Sequence, residues 1–165
     1  MPTGISCSRV AVAVLVAFTG VAVAAHAQQP TNATQAPGVV TKVSAASFDS
    51  TLARLERAIT GKGLTIAARV DHAAAAKRAG LTLRPTTLVI AGNPAAGTPL
   101  MVADQTMGVE LPLRFLVWQG EDGKARVTYD PLASIAARHQ LTGLDDVVRR
   151  ITTGIESIVA DAVKQ

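Results

Sequence analysis

One long amphipathic segment near the C-terminus does most to limit what this chain can fold into. Leu144, Val147, Val148, Ile151, Ile155, Ile158, Val159 and Val163 recur at steps of three and four residues, which puts them on one side of an α-helix. A stripe of that width needs cover, and a sheet is the partner expected for it. Val148, Ile151, Ile155 and Val159 are its expected core residues. Asp145 and Asp146 stand at the helix start, where negative charge meets the positive end of the helix dipole, so the pair reads as structural rather than as an acid–base couple.

The upstream segments supply a sheet. Val39 to Ala46 alternates weakly as a first strand. Ser47 or Asp49 can cap a helix presenting Phe48, Leu52, Leu55 and Ile59 on one face, stopped by Gly61 and Gly63. Leu64, Ile66, Ala68 and Val70 alternate with Thr65, Ala67 and Arg69, the period of a half-buried strand. Asp71 then caps a short alanine-rich helix, His72 to Ala79, closed by Gly80. Thr86 to Ala91 is a compact β-branched run that ends in a Gly92-Asn93-Pro94 turn. Thr98-Pro99 predicts the next helix, through about Thr106, with Thr as cap and Pro in the first position. Leu111 to Gln119 and Lys124 to Asp130 are strands joined by Glu121-Asp122-Gly123, a hairpin signal, and Asp130-Pro131 opens another helix. The order β-α-β-α-β-α-β-β-α-α predicts an α+β or mixed α/β fold, a single-domain sandwich of a mixed or antiparallel sheet covered by helices.

Residues 10–23 are an apolar run of signal-sequence length, short for a membrane span, with Arg9 before it and Ala25-His26-Ala27 after it. The pattern predicts a signal peptide over residues 1–27, cleaved after Ala27. The protein is then exported, periplasmic in a Gram-negative bacterium and secreted otherwise, with no stable membrane insertion after cleavage. Cys7, the single cysteine, leaves with the signal, so the mature chain has no disulfide, thiolate metal site or cysteine nucleophile. Residues 28–38 are polar, with two Pro and a Gly, and read as a flexible linker; residues 39–165 then form the domain. Asn32-Ala33-Thr34 fits a glycosylation site that matters only in a eukaryotic secretory pathway. Losing Arg9 lowers the formal charge from +4 to +3, and 3% aromatic residues with scattered Lys and Arg give bases little to stack on. Nucleic acid is not an expected partner.

The middle of the chain carries a more specific pattern. Asp71-His72-Ala73-Ala74 is followed by Gly80-Leu81, Leu83-Arg84-Pro85-Thr86, Gly92-Asn93-Pro94 and Gly97-Thr98-Pro99-Leu100-Met101, then Leu111-Pro112-Leu113 and Tyr129-Asp130-Pro131. In that order and spacing these residues resemble the domain-of-unknown-function family 302, small α+β domains of bacteria and archaea, some of them exported. The resemblance covers roughly residues 47–140. It implies the fold and carries no activity. Family members often have an aromatic residue at the position of Ala91 and an asparagine near Ala75, so a pocket built on those side chains would differ here.

Nucleophilic catalysis has little to build on. Only His72 and His139 remain after the signal, no Gly-x-Ser-x-Gly elbow is present, and Ser134 and His139 are five apart, which does not place them on one helical face. Gly92 and Gly97 fit neither phosphate-loop nor dinucleotide spacing. His72, His139, Met101 and Met107 are metal-ligand types, yet no paired spacing joins them, and neither a metal nor another cofactor is expected. His72, at a helix start, is read as a neutral imidazole facing a pocket or sheet edge. The most site-like segment is Gly92 to Met101, where a strand end, an Asn turn and free helix N–H groups converge. Asn93, Thr98 and Met101, with His72 and Arg84 as polar neighbours, form the candidate site for a small or anionic ligand; Arg114 is a further source of charge. Fold punctuation competes with that reading for the same residues. The expected function is therefore a small exported domain that binds a small ligand or associates with itself as a two-fold dimer through an available sheet edge. An unrecognised hydrolase or isomerase and a periplasmic metal-binding protein are the alternatives.

Overall fold

The computed structural model describes residues 38–164. The expected signal peptide and its cleavage point, and all but the last residue of the expected linker, lie outside the described residues. In chain order the elements are β1 (Val40–Val43), α1 (Phe48–Gly61), β2 (Thr65–Asp71), α2 (His72–Arg78), β3 (Thr86–Gly92), α3 (Pro94–Ala103), a 3₁₀ helix (Gln105–Val109), β4 (Leu113–Gln119), β5 (Ala125–Tyr129), α4 (Leu132–Arg138) and α5 (Asp145–Val163). The strands form one sheet in the order β1-β5-β4-β3-β2, and every neighbouring pair is antiparallel. This is the α+β architecture read from the sequence.

One face of the sheet carries the core. Val89 and Ala91 of β3, Phe115 and Val117 of β4, and Val127 and Tyr129 of β5 pack with Leu52, Leu55 and Ile59 of α1 and with Ile155, Ile158 and Val159 of α5. Fully burying each Val, Leu, Ile or Phe side chain among them contributes roughly 1.5–3 kcal/mol. Ser47 caps α1, its hydroxyl accepting from the Ser50 N–H at 3.3 Å. Thr51, fully buried, donates its hydroxyl to the Ser47 carbonyl at 2.8 Å and shares a hydrogen bond with the Ser44 hydroxyl at 2.7 Å, so its hydroxyl is not stranded.

Four expectations change. Along α5 the buried positions are Ile155, Ile158, Val159 and Ala162; Val148 and Ile151 are only half-buried at the border of the core, and Ile151 forms part of the wall of a cleft. The third helix begins at Pro94 instead of Thr98: Asn93 accepts from the Ala95 N–H at 2.9 Å as its cap, Pro94 takes the first position, and Pro99 lies inside the helix. The helix ends at Ala103, and a 3₁₀ segment follows where one continuous helix through Thr106 was expected.

The fourth change concerns β2. Its register shifts between Ile66 and Ala68, so Ile66 pairs with Ala91 and Ala68 with Ile90. The bulge carries Ile66 to the core side and Ala68 and Val70 to the other, breaking the single apolar row that strict alternation implied. Most of this strand is exposed. On that second face Val70 pairs with Leu88 and Leu88 with Leu116. Leu88, Ile90, Leu116 and Trp118 are half-buried and belong to no part of the core. Trp118 Nε1 donates to Thr128 Oγ1 at 2.8 Å, and the Arg126 guanidinium lies 5.2 Å from the Trp118 ring centroid.

Candidate functional site

The end of the sheet at the close of β3 opens into a cleft of about 750 Å³. Its walls are the α1–β2 connection, the β3–α3 turn, the inner side of α3, the segment leading into β4, and α5. Glycine and proline make room for it. A Cβ on Gly92 would stand 3.1 Å from Pro112 Cβ, and one on Gly97 would stand 3.3 Å from Leu111 Cδ1, so the β3 end and α3 sit on the Leu111-Pro112 segment at backbone distance. The peptide bond between Leu111 and Pro112 is cis. Across the cleft, Gly154 lies inside α5, where a Cβ would meet nothing within 4 Å.

The lining is apolar with a one-signed rim. Leu64, Leu100, Met101, Leu111, Ile151 and Ile155 supply most of the wall, and the polar side chains are confined to Lys62, Thr65, Asn93 and Arg150. No carboxylate lines it. Lys62 and Arg150 are both exposed, and the Arg150 side chain has neither ion pair nor hydrogen bond among the described residues. The carboxylate that senses Lys62 is Asp161, which Lys164 already engages at 2.8 Å and holds below its ordinary pKa.

The five residues singled out in the sequence are divided by this geometry. Asn93 and Met101 lie on the cleft wall. Asn93 is engaged by the fold: its Oδ1 caps α3, and its Nδ2 donates to the Gly63 carbonyl at 3.3 Å. Thr98 is exposed on α3 and is not part of the lining. His72 and Arg84 are at the other end of the sheet. Because β2 runs antiparallel to β3, Asp71 pairs with Thr87 while Thr65 pairs with Gly92, which leaves His72 about 20 Å from Asn93 at the usual rise per strand residue. Arg84 donates from Nε to the Gln119 carbonyl at 3.0 Å and pairs with Glu121 at 3.6 Å, tying down the far end of the β3–β4 pair. Arg114 pairs with Glu110 at 3.0 Å, away from the cleft.

A second polar cluster escaped the sequence reading. His139 Nδ1 lies 2.6 Å from Asp104 Oδ2 and 3.0 Å from Thr106 Oγ1, and its Nε2 faces Glu110 at 3.7 Å. Arg138 bridges Glu110 at 3.2 Å and Asp130 at 2.8 Å. The Thr106 hydroxyl, then the His139 ring and the Thr106 N–H, hold the Asp104 carboxyl down to about 2. Burial works to raise Glu110, but the Arg138 and Arg114 guanidiniums outweigh it and keep the carboxyl below its ordinary value. Nδ1 of the imidazole is engaged by Asp104 and Thr106 while Nε2 faces Glu110, so the cluster fastens α4 to the 3₁₀ helix. Among the described residues no group of three His, Cys, Asp or Glu side chains is arranged to hold a metal ion. The one sequence signal for the cluster was Asp104-Gln105-Thr106, an Asp positioned to cap a short turn.

Comparison with known proteins bears on the fold and on part of the length. A solved structure of an uncharacterized conserved protein DUF302 from Bacillus stearothermophilus superposes with a TM-score of 0.70, covering 77% of this chain and 99% of that one at 16% identity. Among curated proteins, the fluoride-specific ion channel FluC 1 of Brucella suis biovar 1 is 40% identical over 122 residues, which is 73% of this chain and 48% of the relative. The FluC 1 of Brucella abortus biovar 1 and the FluC 2 of Brucella melitensis biotype 1 match at the same identity over 45% of their lengths. The chain therefore spans about half the length of the curated relatives it matches. No helix among the described residues is long and apolar enough to cross a membrane. Residues 39–158 match the family described as Domain of unknown function DUF302, and with that match running from the first strand into α5, the chain belongs to the DUF302 family.

Proposed function

We propose that this domain is a binding module that takes an apolar small molecule in the cleft between α3, α5 and the end of β3. The observation that carries the reading is the cleft itself. Its volume of about 750 Å³ falls within the roughly 300–1,000 Å³ of small-molecule sites, and an apolar wall with few polar groups is the usual lining of such sites. Gly154 supports it, since a glycine inside a helix costs about 1 kcal/mol relative to alanine and no neighbour crowds this one. The channel name of the Brucella relatives belongs to proteins of about twice this span. Fluoride, a small and strongly hydrated ion, would lose its water in a largely apolar cleft and gain few donors in return.

Titration with the neutral apolar dye N-phenylnaphthylamine tests the reading. Saturable fluorescence enhancement at one dye per domain is expected, and a linear, unsaturated response would sink it. Self-association is the second reading, favoured by the second sheet face, where Val70 and Val43 are exposed and Leu88, Ile90 and Leu116 remain half-buried. Light scattering that returns a monomer at high concentration would dismiss it. We place this activity outside the cytoplasm, on the strength of the signal pattern over residues 1–27.

A further inference from the structure

We infer that the ligand of the cleft is an anionic amphiphile, a molecule with a flexible hydrocarbon chain and a carboxylate or similar acidic head, held with its chain along the apolar wall and its head against Lys62 and Arg150. This rests on the cleft being a binding site, as proposed above, and adds the chemistry of what enters it. The wall carries charge of one sign only, from two cations and no acid. The two come from separate elements, Lys62 from the C-terminal cap of α1 and Arg150 from the first half of α5, yet both face the same cleft.

Their free state matters as much as their sign. Several other arginines of this domain are spent on internal pairs: Arg126 on Asp122, Arg138 on Glu110 and Asp130, and Arg114 on Glu110. Arg150 has no such partner among the described residues, and Lys62 has only the weak attention of Asp161, itself bound to Lys164. An apolar cavity whose rim keeps two unneutralised cations complements a ligand that is apolar along its length and negative at one end. A neutral hydrocarbon would leave those charges unused, and a cationic amphiphile would be repelled by them. Beyond the two cations the polar side chains of the lining are Thr65 and Asn93 alone, and Asn93 already bonds Gly63 and caps α3, so a hydrated anion without a chain would gain few donors there.

Calorimetric or dye-displacement titration of the full chain with decanoate, n-decanol and decylamine at neutral pH separates this inference from the one beneath it. Decanoate is expected to bind saturably and at least about tenfold more tightly than decanol, the factor that one charge-assisted contact supplies, with decylamine weakest. The preference should shrink as salt is raised. In the double variant Lys62→Gln with Arg150→Gln, decanoate should fall to the affinity of decanol while decanol is unchanged. Both positions are exposed, so folding is expected to survive, and an unchanged melting midpoint verifies that. Equal affinity of decanoate and decanol, or a decanoate preference that survives the double variant, overturns the amphiphile inference and leaves an apolar-ligand cleft. Saturable binding of none of the three overturns both, including the case in which the chain's own residues already fill the space.

Discussion

Gly154 gives the most exposed test of the cleft, because replacing it separates helix stability from ligand binding. It sits inside the long helix α5, with residues 145–163 around it, and an added Cβ would find no atom within 4 Å. Gly154→Ala therefore adds no clash and little packing, and its effect reduces to the backbone cost of glycine in a helix interior, about 0.8–1.0 kcal/mol in favour of alanine. For a domain of this size that raises the thermal midpoint by roughly 3–5 °C. Gly154→Leu should keep the helix gain, because leucine is nearly as good a helix former as alanine, while its side chain occupies the cleft. Circular dichroism melts and N-phenylnaphthylamine titrations of the two variants are the assay. The alanine variant should be more stable and still bind dye; the leucine variant should be stable and bind far more weakly. A lowered midpoint in Gly154→Ala would mean that the space beside α5 is closed in solution. Undiminished dye binding by Gly154→Leu would place the dye elsewhere.

Other outcomes follow from the packing and the ion pairs. Ile155→Asp puts a charge where the side chain is 3% exposed and should cost several kcal/mol, enough to unfold much of a domain of ordinary stability of about 5–15 kcal/mol; an unchanged midpoint would contradict the core described for α5. Asp104 and Asp122 are held down to about 2 in the fold, so their stabilisation is full above the ordinary carboxylate value near 3.8 and is lost as pH falls through about 2. Acid titration of stability should show that loss between about pH 4 and 2, and Asp104→Asn combined with Asp122→Asn should flatten it. Gln140 closes α4 at φ 50°, a conformation that favours glycine, so Gln140→Gly should leave stability unchanged or raise it by up to about 1 kcal/mol, read from urea midpoints. Intact-mass analysis of the protein from its native host should find a species beginning at Gln28; a species beginning at Met1 would refute cleavage.

The element order was legible because each boundary rested on local chemistry. Ser47 and Asp71 cap the helices they were assigned, and the Asp122-Gly123 pair turns the β4–β5 hairpin with Gly123 at φ 75°. What failed was non-local. Thr98-Pro99 and Asn93-Pro94 are both good helix starts, and the choice between them depended on Gly63 offering its carbonyl to Asn93 from another connection. The β2 bulge leaves no mark in an alternating sequence, since it is a matter of register against β3. The grouping of His72 and Arg84 with Asn93 required knowing that β2 and β3 run antiparallel, which sends Asp71 to the Thr87 end. The cleft was only half visible: Asn93 and Met101 mark its wall, but Lys62, Arg150 and Gly154 come from segments read solely as helix ends and an apolar stripe. His139 and Asp104, far apart in sequence, meet only when α4 packs beside the 3₁₀ helix.

The bulge in β2 also governs how this sheet behaves toward other sheets. Among the described residues the strands at the edges of the sheet are β1 and β2. One is four residues long and carries the exposed Lys42; the other is interrupted between Ile66 and Ala68. A short charged border and a kinked border are both poor templates for a further strand, because continuous ladders need several residues in register. Edge-to-edge growth into fibrils is thereby discouraged at either side of a sheet rich in β-branched residues.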